Sequence, residues 1–201
     1  MRTSHAIFLL FSFSLSPFSL ALEPLADKEI AVEVKPFIES NTLAISLNAV
    51  DLNGDGLSDY VLVLEKKRAT SEENEDGERS LLLLIRQSNK SLKLAKRNDK
   101  IVFCAKCGGV FGDPFEFLEV APKSFAVHLH GGSSHRWAYS YYFNYSRRDN
   151  TWQLVAVDES SFHVSDPEKT MKQKLYKPPK HYGKIDIADF DPENYRGRGE
   201  K

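Results

Sequence analysis

The sequence predicts a mainly β fold made of antiparallel sheets that are built from hairpins. Two observations carry this prediction. From residue 30 onward, apolar residues come in short runs rich in β-branched and aromatic side chains, with polar turns between them. The 3.6-residue periodicity of an amphipathic helix is almost missing from the same region. We therefore expect a β-rich domain such as a compact β-sandwich.

The predicted strands are short segments with polar residues at both ends. They span residues 30–34, 42–50, 60–65, 80–86, 101–104, 115–120, 124–130, 138–146, 151–158 and 184–190. Segments 60–65 and 80–86 should pair as an antiparallel hairpin, and so should 138–146 and 151–158, with a polar turn at 147–150. Residues 66–78 are too charged to join a core, so we expect a solvated hairpin loop. The proline-containing stretch 165–183 predicts a long surface connection.

The first 21 residues have the pattern of a secretory signal peptide. Arg2 is followed by a run at residues 6–20 that is apolar apart from serines and Pro17, and this run is too short to cross a bilayer as a stable helix. Ser19 and Ala21 are the small residues expected before a cleavage site. We expect residues 1–21 to be removed on export, which places the mature protein in the periplasm or outside the cell.

The mature chain should form one domain. Removal of the signal peptide leaves about 180 residues, enough for a core that needs no disulfide to stand. We assign residues 22–195 to a single β-rich domain and residues 196–201 to a disordered tail. The chain has 27 basic and 28 acidic residues, so it lacks the basic field of a nucleic-acid binder. We expect no transmembrane segment in the mature chain, and the oligomeric state stays open.

Residues 51–59 (DLNGDGLSD) have the spacing of a calcium loop. Oxygen ligands at alternate positions, followed by a glycine at the sixth position, suit a short loop that wraps a hard cation. The predicted ligands are the side chains of Asp51, Asn53, Asp55 and Asp59 and the backbone carbonyl of Leu57. The twelfth position is Leu62 rather than the glutamate of an EF-hand, so that motif is rejected. A plain tight turn between two strands is the alternative.

The segment DLNGDGLSDYVLVLE, at residues 51–65, resembles the DxDxDGxxD loop of FG-GAP and VCBS repeats, as in integrin α-chain propellers. Asn53 replaces the commoner aspartate at the third position. The resemblance covers about twenty residues and occurs once, whereas a full propeller needs several blades. It implies a bound calcium ion that neutralises and fixes the loop. It also implies a propeller-blade-like fragment as the alternative to a β-sandwich.

The two cysteines of the chain, Cys104 and Cys107, form a CxxC motif. In an oxidising compartment they should join in a structural disulfide. Two alternatives stay open: a redox-active pair, and a zinc site completed by His128 and His130.

A candidate binding surface follows the glycine-rich turn 131–134. His135, Arg136 and Trp137 could anchor a partner, because arginine and tryptophan are common at the centre of interfaces. The alternative is a hairpin turn next to a core tryptophan. Further aromatic residues, at 139, 141–143, 145 and 152, suit a protein or glycan partner and also suit a core.

No enzyme signature is found in the sequence. GxSxG, HExxH and phosphate-binding glycine motifs are missing, and the carboxylates of Asp113, Glu116 and Glu119 are unspecific in a chain with 27% charged residues. We therefore expect a non-enzymatic, exported, calcium-binding β-rich protein that acts as a binding or inhibitor-like protein, and whose partner is a protein or a cell-envelope glycan. The alternative is an envelope thiol-disulfide or zinc-handling protein that uses the CxxC motif and the nearby histidines.

Overall fold

The computed structural model describes residues 22–67 and 77–199. The predicted signal peptide, residues 68–76 of the predicted charged loop and residues 200–201 lie outside the described part. The described residues form nine strands in two antiparallel sheets, so the prediction of a mainly β fold is confirmed. Within these residues, no helix is both long enough and apolar enough to cross a membrane.

The N-terminal sheet is a four-stranded meander. Its strands β1 (Thr42–Val50), β2 (Asp59–Lys66), β3 (Arg79–Arg86) and β4 (Leu92–Asn98) lie in sequence order. Apolar runs on the two central strands are buried on both faces. One face packs against the second sheet. The other face lies under the N-terminal segment 22–38, which contains the short 3-10 helices Asp27–Glu29 and Lys35–Phe37.

The C-terminal sheet is a five-stranded meander. It consists of β5 (Phe115–Ala121), β6 (Ser124–Gly132), β7 (His135–Ser146), β8 (Thr151–His163) and β9 (Lys172–Tyr176). Its inner face joins the core shared with the N-terminal sheet, and alternate side chains such as those of His128 and Ser140 lie on the outer face. The two sheets therefore pack face to face, which is consistent with a β-sandwich rather than a propeller blade.

Side-chain hydrogen bonds tie the two sheets together. Trp152 of β8 donates its indole N–H to the carbonyl of Leu52, at 2.8 Å. Asn98, at the end of β4, donates to the carbonyls of Ile187 and Phe190, at 2.6 and 2.8 Å. The C-terminal segment, residues 177–199, thus closes one side of the sandwich, and it buries Tyr182, Ile185, Ile187, Phe190 and Tyr195 in the shared core.

Both predicted hairpins are confirmed, but the strand prediction was wrong in several other places. Residues 30–34 and 101–104 form bends and turns, and 184–190 contains one isolated bridge and the 3-10 helix Ile187–Asp189. These runs are apolar because they pack into a core, not because they pair with a neighbouring strand. The prediction missed β4 and β9, which are edge strands with few buried side chains. It also missed the helical turn Pro167–Thr170 within the predicted long connection.

The beginning of the predicted disordered tail is held against the domain. Arg196 binds both carboxylate oxygens of Glu159, at 2.5 Å each. Gly197 N–H donates to the carbonyl of His181 at 2.8 Å, and Gly183 N–H donates to that of Arg198 at 2.6 Å. Residues 196–199 therefore continue the folded domain, which the charged sequence RGRG did not indicate.

Candidate ligand-binding cleft

A cleft of about 1010 Å³ opens at one end of the sandwich. The connection between the two sheets forms one wall, β8 and the C-terminal segment form the other, and β7 forms the floor. The lining residues are aromatic or charged for the most part: Glu78, Arg79, Ser80, Asp99, Lys100, Val102, Phe103, Cys104, Cys107, Trp137, Tyr139, Tyr141, Glu159, Asp191, Pro192, Glu193 and Arg196. Clefts of this size, with aromatic walls and a few convergent polar groups, are typical ligand sites.

A row of aromatic rings from β7 forms the floor of the cleft. Trp137, Tyr139 and Tyr141 alternate along the inner face of the strand, with ring centroids 4.9 and 6.2 Å apart and nearly parallel planes. Phe103 meets Trp137 and Tyr139 edge-on, at 5.9 and 6.3 Å. Trp137, Tyr139 and Phe103 are only partly buried. The row therefore keeps aromatic surface available to a ligand.

Two glycine pairs shape the end of this row. A Cβ atom on Gly131 would lie 2.4 Å from Cζ2 of Trp137, so a glycine is required where the indole crosses β6. A Cβ atom on Gly109 would lie 2.8 Å from the carbonyl oxygen of Gly132. The backbones of Gly108 and Gly132 are joined by a hydrogen bond of 2.9 Å. The glycines after the CxxC motif therefore let the inter-sheet connection dock directly on the β6–β7 turn.

The hydroxyl groups of the row have no hydrogen-bond partner among the described residues. Tyr141 is 2% exposed, yet its hydroxyl makes no hydrogen bond to the described part of the chain, and the same holds for Tyr139. Burial raises the pKa of Tyr141 well above its usual value, and burial followed by the charge of Glu159 raises the pKa of Tyr139. Both hydroxyls therefore stay protonated at physiological pH and can donate to a ligand.

Glu159 is the main carboxylate of the β8 wall. It accepts a hydrogen bond from the Tyr195 hydroxyl at 2.8 Å and binds the guanidinium of Arg196. Arg196 also lies over the ring of Tyr176, 4.6 Å from its centroid. This arrangement fixes the carboxylate and the guanidinium beside the aromatic row.

A buried ion network supports the opposite wall. The side chain of Arg79 is fully buried and binds Glu65 at 2.5 and 2.9 Å and Asp113 at 2.5 and 2.6 Å. It also donates to the carbonyl of Phe103 at 3.2 Å. Burial alone would lower the pKa of this guanidinium, but the hydrogen bonds to Asp113 and Glu65 raise it above its usual value. Asp113, unspecific in the sequence, thus positions the Phe103 wall.

Cys104 and Cys107 form a disulfide at the rim of the cleft, as predicted. No free cysteine is found in the described residues, so the pair offers no thiolates for zinc. His128 and His130 lie on the outer face of the C-terminal sheet, whereas the disulfide adjoins the inner-face row. The structure therefore does not bring the predicted zinc ligands together.

The two histidines have other neighbours. His128 hydrogen-bonds Ser140 at 2.8 Å and Glu119 at 3.1 Å, and its ring stacks on Phe117 at 4.4 Å. A serine, a histidine and a carboxylate are the side chains of a hydrolase triad, but these three residues do not line the cleft described above. His130 lies 3.5 Å from a carboxylate oxygen of Glu116.

The predicted calcium loop, residues 51–59, connects β1 to β2 and is held by its own hydrogen bonds. The carboxylate of Asp51 accepts N–H groups of Gly54 and Gly56, at 2.7 and 3.0 Å. Asn53 accepts the N–H of Asp55 at 2.9 Å, and Asp55 accepts that of Leu57 at 2.8 Å. In the described part of the chain, no three His, Cys, Asp or Glu side chains converge as a metal-binding group. The loop carboxylates are therefore not assembled as a ligand set.

Asp59 is the fully buried carboxylate of this loop. It is 0% exposed, and its two oxygens accept the N–H groups of Leu52 and Arg86, both at 2.8 Å. Burial raises the pKa of Asp59, and the charges of Asp55 and Asp51 raise it further. Its structural task is to join the loop to the end of β3.

The predicted surface at residues 135–137 is divided by the alternation of β7. Trp137 lies on the inner face, in the cleft. Arg136 lies over the ring of Phe111, at 4.1 Å, on the outer face. His135 is exposed at the strand end, where its ring meets that of His163 at 4.7 Å. These residues therefore do not form one contact surface, and only Trp137 belongs to the cleft.

Sequence reasoning missed most of the cleft. Phe103, Glu159 and Arg196 come from three distant parts of the chain and carry no motif. The alternation of Trp137, Tyr139 and Tyr141 was the one available signal, because alternate residues of a strand share a face.

Comparison with known proteins leaves this site without a precedent. No protein-family model, no curated protein and no solved structure matches the chain. The resemblance of residues 51–65 to an FG-GAP repeat gains no support from these comparisons.

Proposed function

We propose that this protein is a non-enzymatic binding protein that holds a glycan in the cleft. The observation that carries the proposal is the row of Trp137, Tyr139 and Tyr141, whose tyrosine hydroxyls lie near fixed carboxylates and have no partner within the described part of the chain. A sugar ring presents both C–H surface and hydroxyl groups. Aromatic side chains with a polar end match that combination, because they offer apolar surface and a hydrogen-bond donor together.

A glycan suits the cleft better than a peptide does. Peptides are recognised through a free sheet edge, an apolar groove for a helix, or a cluster of arginines. The floor of this cleft is a sheet face whose backbone groups already pair between β6, β7 and β8. Its walls offer hydroxyl, carboxylate and guanidinium groups instead. These groups match hydroxyl-rich ligands, since each sugar hydroxyl can both donate and accept.

The disulfide is consistent with work outside the cytosol. Disulfides persist in the periplasm and outside the cell, where a cell-envelope glycan would be met. We therefore keep the periplasmic or secreted location as part of the proposal.

The test is a binding titration of the mature chain with a panel of soluble oligosaccharides. The panel includes β-1,4-linked oligomers of glucose, N-acetylglucosamine, glucosamine and glucuronate. The fluorescence of Trp137 should change on binding, because this side chain lines the cleft. The fluorescence of Trp152 should not change, because its side chain is 3% exposed and hydrogen-bonded to the carbonyl of Leu52. Calorimetry on the same panel gives the affinities. Binding of no panel member, or binding that leaves Trp137 fluorescence unchanged, would contradict the proposal.

Matched variants separate the cleft from the rest of the sheet. Tyr139→Phe removes one unpaired hydroxyl and should weaken binding about five-fold to ten-fold, the worth of one hydrogen bond. Tyr142→Phe removes a hydroxyl from the outer face of the same strand and should leave binding unchanged. Equal effects of the two substitutions would place the ligand elsewhere.

Calcium binding by residues 51–59 is a second proposal. One observation favours it: Asp59 is fully buried near two other carboxylates, and within the described residues no basic side chain bonds to any of the three. A cation would offset this repulsion, provided that the loop rearranges to bring the carboxylates together. Thermal unfolding with calcium, with magnesium and with a chelator tests it. An Asp51→Ala/Asp55→Ala variant that responds to calcium as the parent does would rule out this site.

A further inference from the structure

We propose that the cleft selects glycans with free amino groups and rejects anionic glycans; this inference rests on the proposed glycan-binding function. Its basis is the state of the charged side chains that line the cleft. Among the described residues, the lining contains five carboxylates and three cationic groups. The excess of carboxylates matters because each cationic group is already paired with a carboxylate of the protein.

Each cation of the lining has a carboxylate partner. Lys100 binds Asp191 at 2.7 Å, and Arg196 binds both oxygens of Glu159. Arg79 is fully buried between Glu65 and Asp113. These pairings reduce the positive charge that the lining offers to a carboxylate or sulfate group on a ligand.

Two carboxylates at the rim remain accessible. Glu193 is exposed, and its side chain forms no ion pair within the described part of the chain. The side chain of Glu78 is 82% exposed and lies 3.5 Å from Lys66, a distance at which an exposed pair is weak. These groups can accept an ammonium of an amino sugar.

The site for such a ligand does not rest on the carboxylates alone. Tyr141 is buried in the floor of the cleft, and its hydroxyl makes no hydrogen bond within the described residues. The ring surface of Trp137 and Tyr139 and these hydroxyls hold the sugar, and the rim then sets the preferred charge. We expect a preference of about five-fold for an amino sugar over its uncharged counterpart at low salt, which falls as salt is added.

The experiment compares β-1,4-linked oligomers of glucosamine, N-acetylglucosamine and glucuronate of equal length. Calorimetry at about pH 6, where sugar amines are protonated, gives the three affinities at low and high salt. The expected order is glucosamine, then N-acetylglucosamine, then glucuronate. Equal affinities, or tighter binding of glucuronate, would overturn the charge selection and leave the glycan-binding proposal standing. If no panel member binds, both proposals fail.

A double variant assigns the preference to the rim. Glu78→Gln/Glu193→Gln should abolish the preference for glucosamine over N-acetylglucosamine. Both residues are exposed, so the variant should fold. Glu168→Gln removes an exposed carboxylate that does not line the cleft and should keep the preference. A preference that persists in the double variant would overturn the assignment.

Discussion

The two sheets of this protein differ in how many of their faces are covered. In the N-terminal sheet, the central strands are buried on both faces, by the C-terminal sheet and by the segment 22–38. In the C-terminal sheet, β6 alternates between buried side chains and half-exposed ones such as His128. Continuous apolar runs in the sequence of β2 and β3 therefore identify the sheet whose two faces are both covered. The alternating sheet leaves its outer face uncovered, whereas the cleft is built from inner-face residues such as Trp137.

The largest expected effect comes from the buried ion network that joins the N-terminal sheet to the inter-sheet connection. Arg79→Ala removes the buried cation that binds the carboxylates of Glu65 and Asp113. We expect a loss of about 3–5 kcal/mol in the free energy of unfolding, measured by urea denaturation. Arg196→Ala, which removes a more exposed arginine of the C-terminal segment, should cost less than about 1 kcal/mol. Similar losses in both variants would contradict the expected difference between a buried ion network and an exposed ion pair.

Next comes the covered second face of the N-terminal sheet. Leu62 is 0% exposed and packs beneath the segment 22–38. Leu62→Ala should cost about 2–5 kcal/mol, because a cavity remains between the sheet and that segment. Tyr142→Ala on the outer face of the C-terminal sheet should cost less than about 1 kcal/mol. If the two losses were equal, the outer face of the C-terminal sheet would have to be covered as well.

Asp59 allows a pH test of the loop at the edge of the N-terminal sheet. Asp59→Asn should cost about 1–3 kcal/mol, since an amide cannot accept both N–H groups. The pKa of Asp59 is raised in the folded state, so the folded state binds a proton that the unfolded state releases above its ordinary pKa of 3.8. The parent chain therefore loses this contribution as pH rises through the raised pKa.

The difference in unfolding free energy between parent and Asp59→Asn should thus be largest near pH 4 and shrink towards neutrality. Urea midpoints measured over that range check the sign. A difference that grows with pH would show that burial does not dominate at Asp59. If calcium binds the loop, its addition at neutral pH should restore the difference.

The smallest stability effect is expected at the disulfide. Cys104 and Cys107 are only three residues apart, so the bond removes little chain entropy from the unfolded state. Cys104→Ser/Cys107→Ser should cost at most about 2 kcal/mol. Glycan affinity is the more informative measurement, because the disulfide follows Phe103 at the rim of the cleft. Unchanged affinity would show that the bond does not shape the site.

Parts of the fold were predictable and parts were not, for physical reasons. The strands β2 and β3 were predictable from their apolar runs, and the β7–β8 hairpin from the polar turn after Ser146. Both signals depend on residues that are close in the chain. The edge strands β4 and β9 gave no such signal, since their side chains are largely exposed. Residues 101–104 were wrongly predicted as a strand, because Ile101 and Val102 are buried in the core without pairing to a neighbouring strand.

The sequence by itself determined the β class, the hairpin order and the pairing of the two cysteines, because each depends on residues that are close in the chain or on the absence of other partners. Tertiary structure alone decided where the cleft lies. Phe103, Tyr139, Glu159 and Arg196 meet only when two sheets and the C-terminal segment pack together. It also decided the environments of Arg79 and Asp59. Burial and partners at long sequence distance shift the pKa of each group, and no local sequence pattern indicates either effect.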